Sequence, residues 1–390
     1  MMTKVVKVTQ KWLGKFSNNM KKQTLFILTG ILASNALFSQ DGHEGHGHGI
    51  SKKYKDEPQY ESVSHPEQHL KNLKQLTFGG DNAEAYFSFD NSSIVFQSNN
   101  PQWGLKCDQI FWTKLSDMGS AEYKPAMVST GLGRTTCSYF MPGDSQLIYA
   151  STHLGSKDCP PTPETTGAYL WPIYSDFDIF VSDKTGKIAK QLTNQPGYDA
   201  EATVSPDGKS IVFTSTRSGD LELWIMDIDG GNQRQITNGL GYDGGAFFSP
   251  DSKKLVFRAS RPQTEEEIKK YKDYLSKDLV APTNMEIYTI NVDGSDLKQI
   301  TKLGKANWAP FFHPSGNKII FSSNHHSTRG YDFQLYMINL DGSGLERITN
   351  NSIFNAFPMF SPDGKKLIFS SNRNNGGTRD TNLFIADWVD

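Results

Sequence analysis

Gln191-Leu192-Thr193, a polar loop, and then Ser205-Pro206-Asp207-Gly208-Lys209 running into Ile211-Val212-Phe213 decide the fold of this chain. Pro presets φ for a turn and Gly accepts a positive φ, so Pro-Asp-Gly ahead of an apolar run marks a hairpin between strands. A third run, Leu223-Trp224-Ile225-Met226, ends in Asp229-Gly230, a second hairpin signal, and the strand after it carries the next Leu/Ile-Thr.

The unit recurs outward in both directions. Arg347-Ile348-Thr349 precedes Ser361-Pro362-Asp363-Gly364-Lys365, and degraded turns stand at Ser249-Pro250-Asp251, His313-Pro314-Ser315-Gly316, Met141-Pro142-Gly143-Asp144 and Phe89-Asp90-Asn91. Each turn leads into a β-rich triplet: Ile94-Val95-Phe96, Leu147-Ile148-Tyr149, Ile211-Val212-Phe213, Leu255-Val256-Phe257, Ile319-Ile320-Phe321 and Leu367-Ile368-Phe369. Six copies of four short antiparallel strands predict an all-β, six-bladed propeller over residues 71–390. The chain ends on a third strand, Leu383-Phe384-Ile385-Ala386, and an orphan fourth strand, Leu73-Lys74-Gln75-Leu76-Thr77, opens the repeat region. That orphan is expected to complete the last blade and leave no open sheet edge.

These Leu-Thr and Ser-Pro-Asp-Gly-Lys repeats resemble the WD-type repeats of the TolB-like propeller family over about 320 residues. The resemblance implies a binding module whose partner is a cell-envelope protein or one of its peptide segments. Other propellers of this kind accompany peptidases, and one lyase family is catalytic. A metal-dependent polysaccharide or oligosaccharide lyase, and an accessory propeller to a separately encoded peptidase, are therefore the alternatives. The chain contains no Gly-x-Ser-x-Gly elbow and no His-Glu-x-x-His zinc motif.

Residues 1–39 hold six lysines and no acid, so without them the formal charge falls from −2 to −8. Lys21-Lys22 followed by the mainly apolar run Thr24 to Phe38 predicts a signal segment, with Met20 as an alternative start and a periplasmic or secreted product. No Cys follows the run to carry a lipid. An acidic mature monomer is repelled by nucleic acid and anionic membrane surfaces, and neither is expected as a partner. Residues 40–70 are polar and predict a disordered arm, in which His43, His46 and His48 alternate in a way that suits a divalent metal.

Aligning the six repeats exposes two rings. Asn82, Thr135, Asp199, Asp243, Asn307 and Asn355 open the innermost strands, and Asn100, His153, Arg217, Arg261, His325 and Arg373 follow the second strands. Both rings are expected at one mouth of the central channel, and their members other than Thr135 and Asn100 form the ligand-binding set together with Glu84, Arg134 and Glu201. The basic members suit an anionic group, and the arc Glu84, Asp199, Glu201 and Asp243 suits Ca²⁺ or another divalent cation. The same residue types also cap turns and pair with acids inside a blade, which makes a purely architectural role the competing expectation. Two repeat spacings of 64 residues, against 44 to 53 elsewhere, place insertions at about 154–175 and 262–284. The first carries Tyr169, Trp171 and Tyr174; the second predicts a short helix across Thr264 to Ser276. Three cysteines predict one bridge and one free thiol, with Cys137–Cys159 expected and Cys107–Cys137 as the alternative.

Overall fold

The apolar triplets after each turn are the most deeply buried part of the chain: all eighteen residues, from Ile94-Val95-Phe96 to Leu367-Ile368-Phe369, are 0% exposed. A second strand flanked by two neighbours, with a further blade packed on each face, has no solvent side. This is why the triplets are continuous apolar runs and not alternating ones. The computed structural model describes residues 66–163 and 167–390, and among these the repeats form six four-stranded antiparallel sheets arranged as a propeller.

In blade three the strands Asp199–Val204, Ser210–Ser215, Glu222–Asp227 and Arg234–Gln235 pair in sequence order. Its Pro-Asp-Gly turn is held by Ser205 Oγ donating to Asp207 Oδ1 (2.6 Å), while Gly208 takes φ +71°. Where Gly is missing from this position, Asn91 and Ser252 adopt φ +63° and +62°, and Ser252 Oγ accepts from Asp207 N of the neighbouring blade. The turn residues therefore join blades as well as strands.

The recurring Thr has an equally definite task. Thr193 Oγ1 accepts from Ile179 N (2.9 Å) and donates to Asp178 Oδ1 (3.0 Å), tying the fourth strand to the start of the third. Thr237 with Glu222, Thr301 with Glu286, and Thr349 with Gln334 repeat this, as do Ser129 with Gln109 and Thr77 with Asn382.

Closure is by the N-terminal strand, as expected: Leu70–Gln75 pairs antiparallel with Asn382–Trp388 and makes the sixth sheet four-stranded. The described residues begin inside the expected arm. Glu67 receives Arg373 Nη1 and Nη2 (3.0 and 3.1 Å) and the backbone N–H of Asn350 (2.9 Å), so residues 66–70 belong to the propeller. The rest of the expected arm, with His43, His46 and His48, and the signal region lie outside the described residues.

Candidate functional site

The polar ring that opens the innermost strands is buried in the contacts between blades. Asn82, Thr135, Asp199, Asp243, Asn307 and Asn355 are at most 1% exposed, each wedged between its own blade and the one before. Asn307 Nδ2 donates to Met285 O (2.8 Å) and Glu286 Oε2 (3.2 Å), and Asn355 Nδ2 to Gln334 Oε1 (2.9 Å). Asn82 Nδ2 reaches Thr381 O (3.0 Å) across the closure, and Thr135 Oγ1 reaches Asp108 O (3.0 Å).

The basic ring is bound into the same network. Arg217 bonds Asp199 (2.6 Å), Arg261 bonds both oxygens of Asp243, and Arg373 bonds Asn355 Oδ1 (2.9 Å) as well as Glu67. Each guanidinium also lies over an aromatic ring of its third strand: Trp224 at 5.0 Å, Tyr288 at 5.2 Å and Phe384 at 5.6 Å. His153 and His325 fill the equivalent place against Phe180 and Tyr336, with Nδ1 near Ser151 Oγ and Ser323 Oγ. Burial lowers both His pKa values, so neither adds a fixed cation to the rim. All of these but Thr135 were expected in the ligand set; the hydrogen bonds and ion pairs just described run within a blade or between neighbouring blades, an arrangement that favours the architectural role.

The channel is lined two residues further on. Each innermost strand breaks register at a bulge, and the residue at its tip has a positive φ: Glu84 +54°, Cys137 +45°, Glu201 +59°, Gly245 +59°, Ala309 +46° and Phe357 +54°. The bulge turns these six positions toward the propeller axis, where all of them line a cavity of about 30 Å³. Five of them also line an adjoining cavity of about 70 Å³ nearer the insertions. The backbone N–H freed at the bulge is taken up by the preceding blade, as when Cys137 N donates to Gln97 Oε1 (3.2 Å) and Phe357 N to Ser322 Oγ (3.2 Å).

Blade four departs from this pattern twice. Position 258, where the other blades carry Gln97, Ala150, Thr214, Ser322 and Ser370, is Arg, and the bulge residue is Gly245. The two belong together: without a side chain at 245, Arg258 reaches the axis, where it bonds Glu201 and Tyr242 Oη. Glu201 also accepts from Thr214 Oγ1 (2.7 Å), Tyr242 Oη (2.8 Å) and Gly245 N (2.8 Å). Burial pushes its pKa up, but Arg258 and these hydroxyls outweigh burial and hold it below the usual carboxylate value. The Cys137 thiol beside it is pushed well up, by burial first and by Glu84 and Glu201 next.

Both insertions cover this end of the channel. Trp171–Pro172 of the first pairs antiparallel with Leu279–Val280 of the second. Trp171 packs on Trp308 (5.1 Å between ring centroids), and the Arg258 guanidinium is sandwiched between Trp171 (5.2 Å) and Tyr242 (4.9 Å). Arg134 lies 6.0 Å from the Tyr174 ring and pairs with Asp108 (3.1 Å). The expected helix forms at Glu265–Leu275 with a Thr264/Glu267 capping box, and Tyr271 Oη donates to Asp220. Of the expected set, Glu84, Arg134 and Glu201 do line the larger cavity, joined by Arg258, Tyr242, Trp171 and Trp308. Arg258 could have been noticed as the one cation among uncharged side chains at this position; nothing in the repeat pattern by itself gave the direction of the bulge.

The disulfide differs from both expected pairings. Cys107 bonds Cys159 with Cα atoms 6.0 Å apart, clamping the first insertion to blade one, and Cys137 is the free thiol. Cys137 sits at a bulge that turns it into the channel. His313 lies near Asp390 and Trp388, and His326 near Asp332 and Tyr336. Among the described residues no group of three or more His, Cys, Asp or Glu side chains is placed to hold a metal ion.

A search of the curated proteins finds no sequence similar to this one. Among solved structures, the putative TolB of Agrobacterium tumefaciens is similar at a TM-score of 0.52 and 20% identity, over 80% of this chain and 91% of that one. TolB of Acinetobacter baumannii gives 0.52 and 18% identity, over 77% of this chain and 64% of that one. At such identities the likeness speaks for the fold alone. The sequence family described as the TolB beta propeller domain matches residues 174–274 and 272–383, more than half of the chain. With its six closed blades and shared repeat, the chain belongs to the TolB β-propeller domain family.

Proposed function

We propose that this protein is an exported, non-catalytic binding propeller, periplasmic or secreted, whose ligand enters the channel mouth beneath the two insertions. The observation that carries this reading is the cavity there: aromatic walls from Trp171, Tyr174, Tyr198, Tyr242 and Trp308 surround a few charged groups, Glu84, Glu201 and Arg258. A concave, largely apolar site with a small number of polar groups on a rigid frame is the general form of a ligand pocket. Family membership favours a cell-envelope protein segment resting on the aromatic mouth, with its tip in the cavity of about 70 Å³. Among the described residues no helix is long and apolar enough to cross a membrane.

Trp171 and Trp308 supply the test. A panel of short peptides and small polar metabolites is added to the mature protein while tryptophan emission and melting temperature are followed. A subset is expected to shift the emission and raise the melting temperature, and to lose both effects in Trp171→Ala. A panel with no such member, or one whose effects survive Trp171→Ala unchanged, overturns the reading.

A further inference from the structure

Arg258 is 7% exposed, and its hydrogen bonds all leave from one end of the guanidinium: Nη2 serves both Glu201 and Tyr242. Nε is buried with no partner. An arginine offers five donors, and a buried donor left unmet is costly unless an acceptor arrives. The residue lines both cavities, so that acceptor would be a ligand atom in the channel.

The rest of the lining narrows the ligand. The larger cavity presents two carboxylates, Glu84 and Glu201, and two guanidiniums, Arg134 and Arg258. A simple anion brought to Arg258 meets the field of Glu84 and Glu201, and a simple cation meets that of the arginines. A molecule carrying both signs meets neither penalty. Size sets a further limit. The two cavities measure about 70 and 30 Å³, which suits a ligand of a few heavy atoms. Blades five and six contribute Ala309 and Phe357 at the axis, an apolar wall for a short carbon stem.

We propose that the channel takes a small zwitterion of the α-amino-acid class, its carboxylate accepting from Arg258 and its ammonium drawn toward Glu84. The proposal rests on reading the covered mouth as the binding site and adds the chemistry of what occupies it. The paired departure of blade four, a long cation at 258 and no side chain at 245, is what a carboxylate anchor at the axis requires.

The test uses glycine and L-alanine as probes, with acetate and ethylamine as the single-charge controls, titrated calorimetrically into the mature protein. Glycine or alanine binds and both controls fail, if the proposal holds. Glu84→Gln leaves the Arg258–Glu201 pair intact, so it is expected to weaken the amino acid at least tenfold while admitting acetate. Arg258→Lys, which keeps the charge but loses Nε, is expected to weaken the amino acid as well. Binding of acetate as tight as that of glycine to the wild type, or glycine affinity unchanged in Glu84→Gln, overturns the zwitterion. Peptides that shift Trp171 emission while glycine and alanine do not bind would sink this inference and leave the binding-propeller reading standing. Failure of both probes and peptides would sink the two together.

Discussion

A Cβ placed on Gly245 would lie 1.8 Å from Nη1 of Arg258, so a side chain at 245 and the guanidinium in its present place exclude each other. Gly245→Ala combines that clash with a left-handed backbone, φ +59°, and displaces Arg258 from Glu201. The expected loss is about 2–4 kcal/mol in denaturant unfolding. Arg258→Met, which strands Glu201 in the channel, is expected to cost about as much, and Glu201→Met in the same chain to recover most of it. An Arg258→Met variant as stable as the wild type would show that the pair is not closed from solvent.

Arg373 joins the last blade to the chain that closes it, through Asn355 on one side and Glu67 on the other. Arg373→Ala is expected to lower stability by about 3 kcal/mol and to speed amide exchange across Leu70–Gln75. If ligand binding changed while stability and exchange did not, the basic ring would be a recognition surface after all.

Glu222 carries a pH dependence. Burial, with Asp243 and Asp220 as nearby like charges, raises its pKa to about 8 against the pull of Thr237 and Arg261. The folded state thus keeps a proton that the unfolded chain has already released. The resulting stability is full below the ordinary carboxylate value and fades as pH rises toward about 8. The melting temperature is expected to fall by a few degrees between about pH 5 and pH 9. Glu222→Gln should flatten that slope without harm, because Gln109 and Gln334 already fill this position in blades one and five. An unchanged slope in the variant would assign the effect to other groups.

Cys137 reports on the covered mouth. Under the insertions, with its thiol pKa raised, it is expected to react slowly with maleimide in the folded protein. Replacing Cys107 and Cys159 together by Ser releases the first insertion from blade one and is expected to speed that labelling at least tenfold. Equal rates would mean that the clamp does not control access to the channel.

The repeat reading carried a long way because its signals are local. Pro-Asp-Gly turns, apolar triplets and a recurring Thr each fulfil their task within a few residues or with the adjacent strand, so their spacing alone yields blade count, strand order and closure. Thr264 and Glu267 likewise marked the helix start, since a capping box is a contact over three residues.

The two polar rings were legible as rings but not in their direction. Whether Asn355 or Arg373 faces a ligand or a neighbouring blade depends on where that blade sits, and Gln334 and Glu67 are remote in sequence from both. The cysteines posed the same difficulty: spacing favoured Cys137, but a bulge at positive φ turned it inward and left Cys107 to meet Cys159.

What the amino-acid sequence by itself determined is the six-bladed, N-terminally closed propeller and the position of its two insertions, because these follow from short-range turn chemistry and from the period of the apolar runs. Only the tertiary structure decided which side chains occupy the axis. The six bulges turn one residue per blade toward the axis, and convergence of Glu84, Glu201 and Arg258 from three blades under Trp171 exists only once the ring has closed.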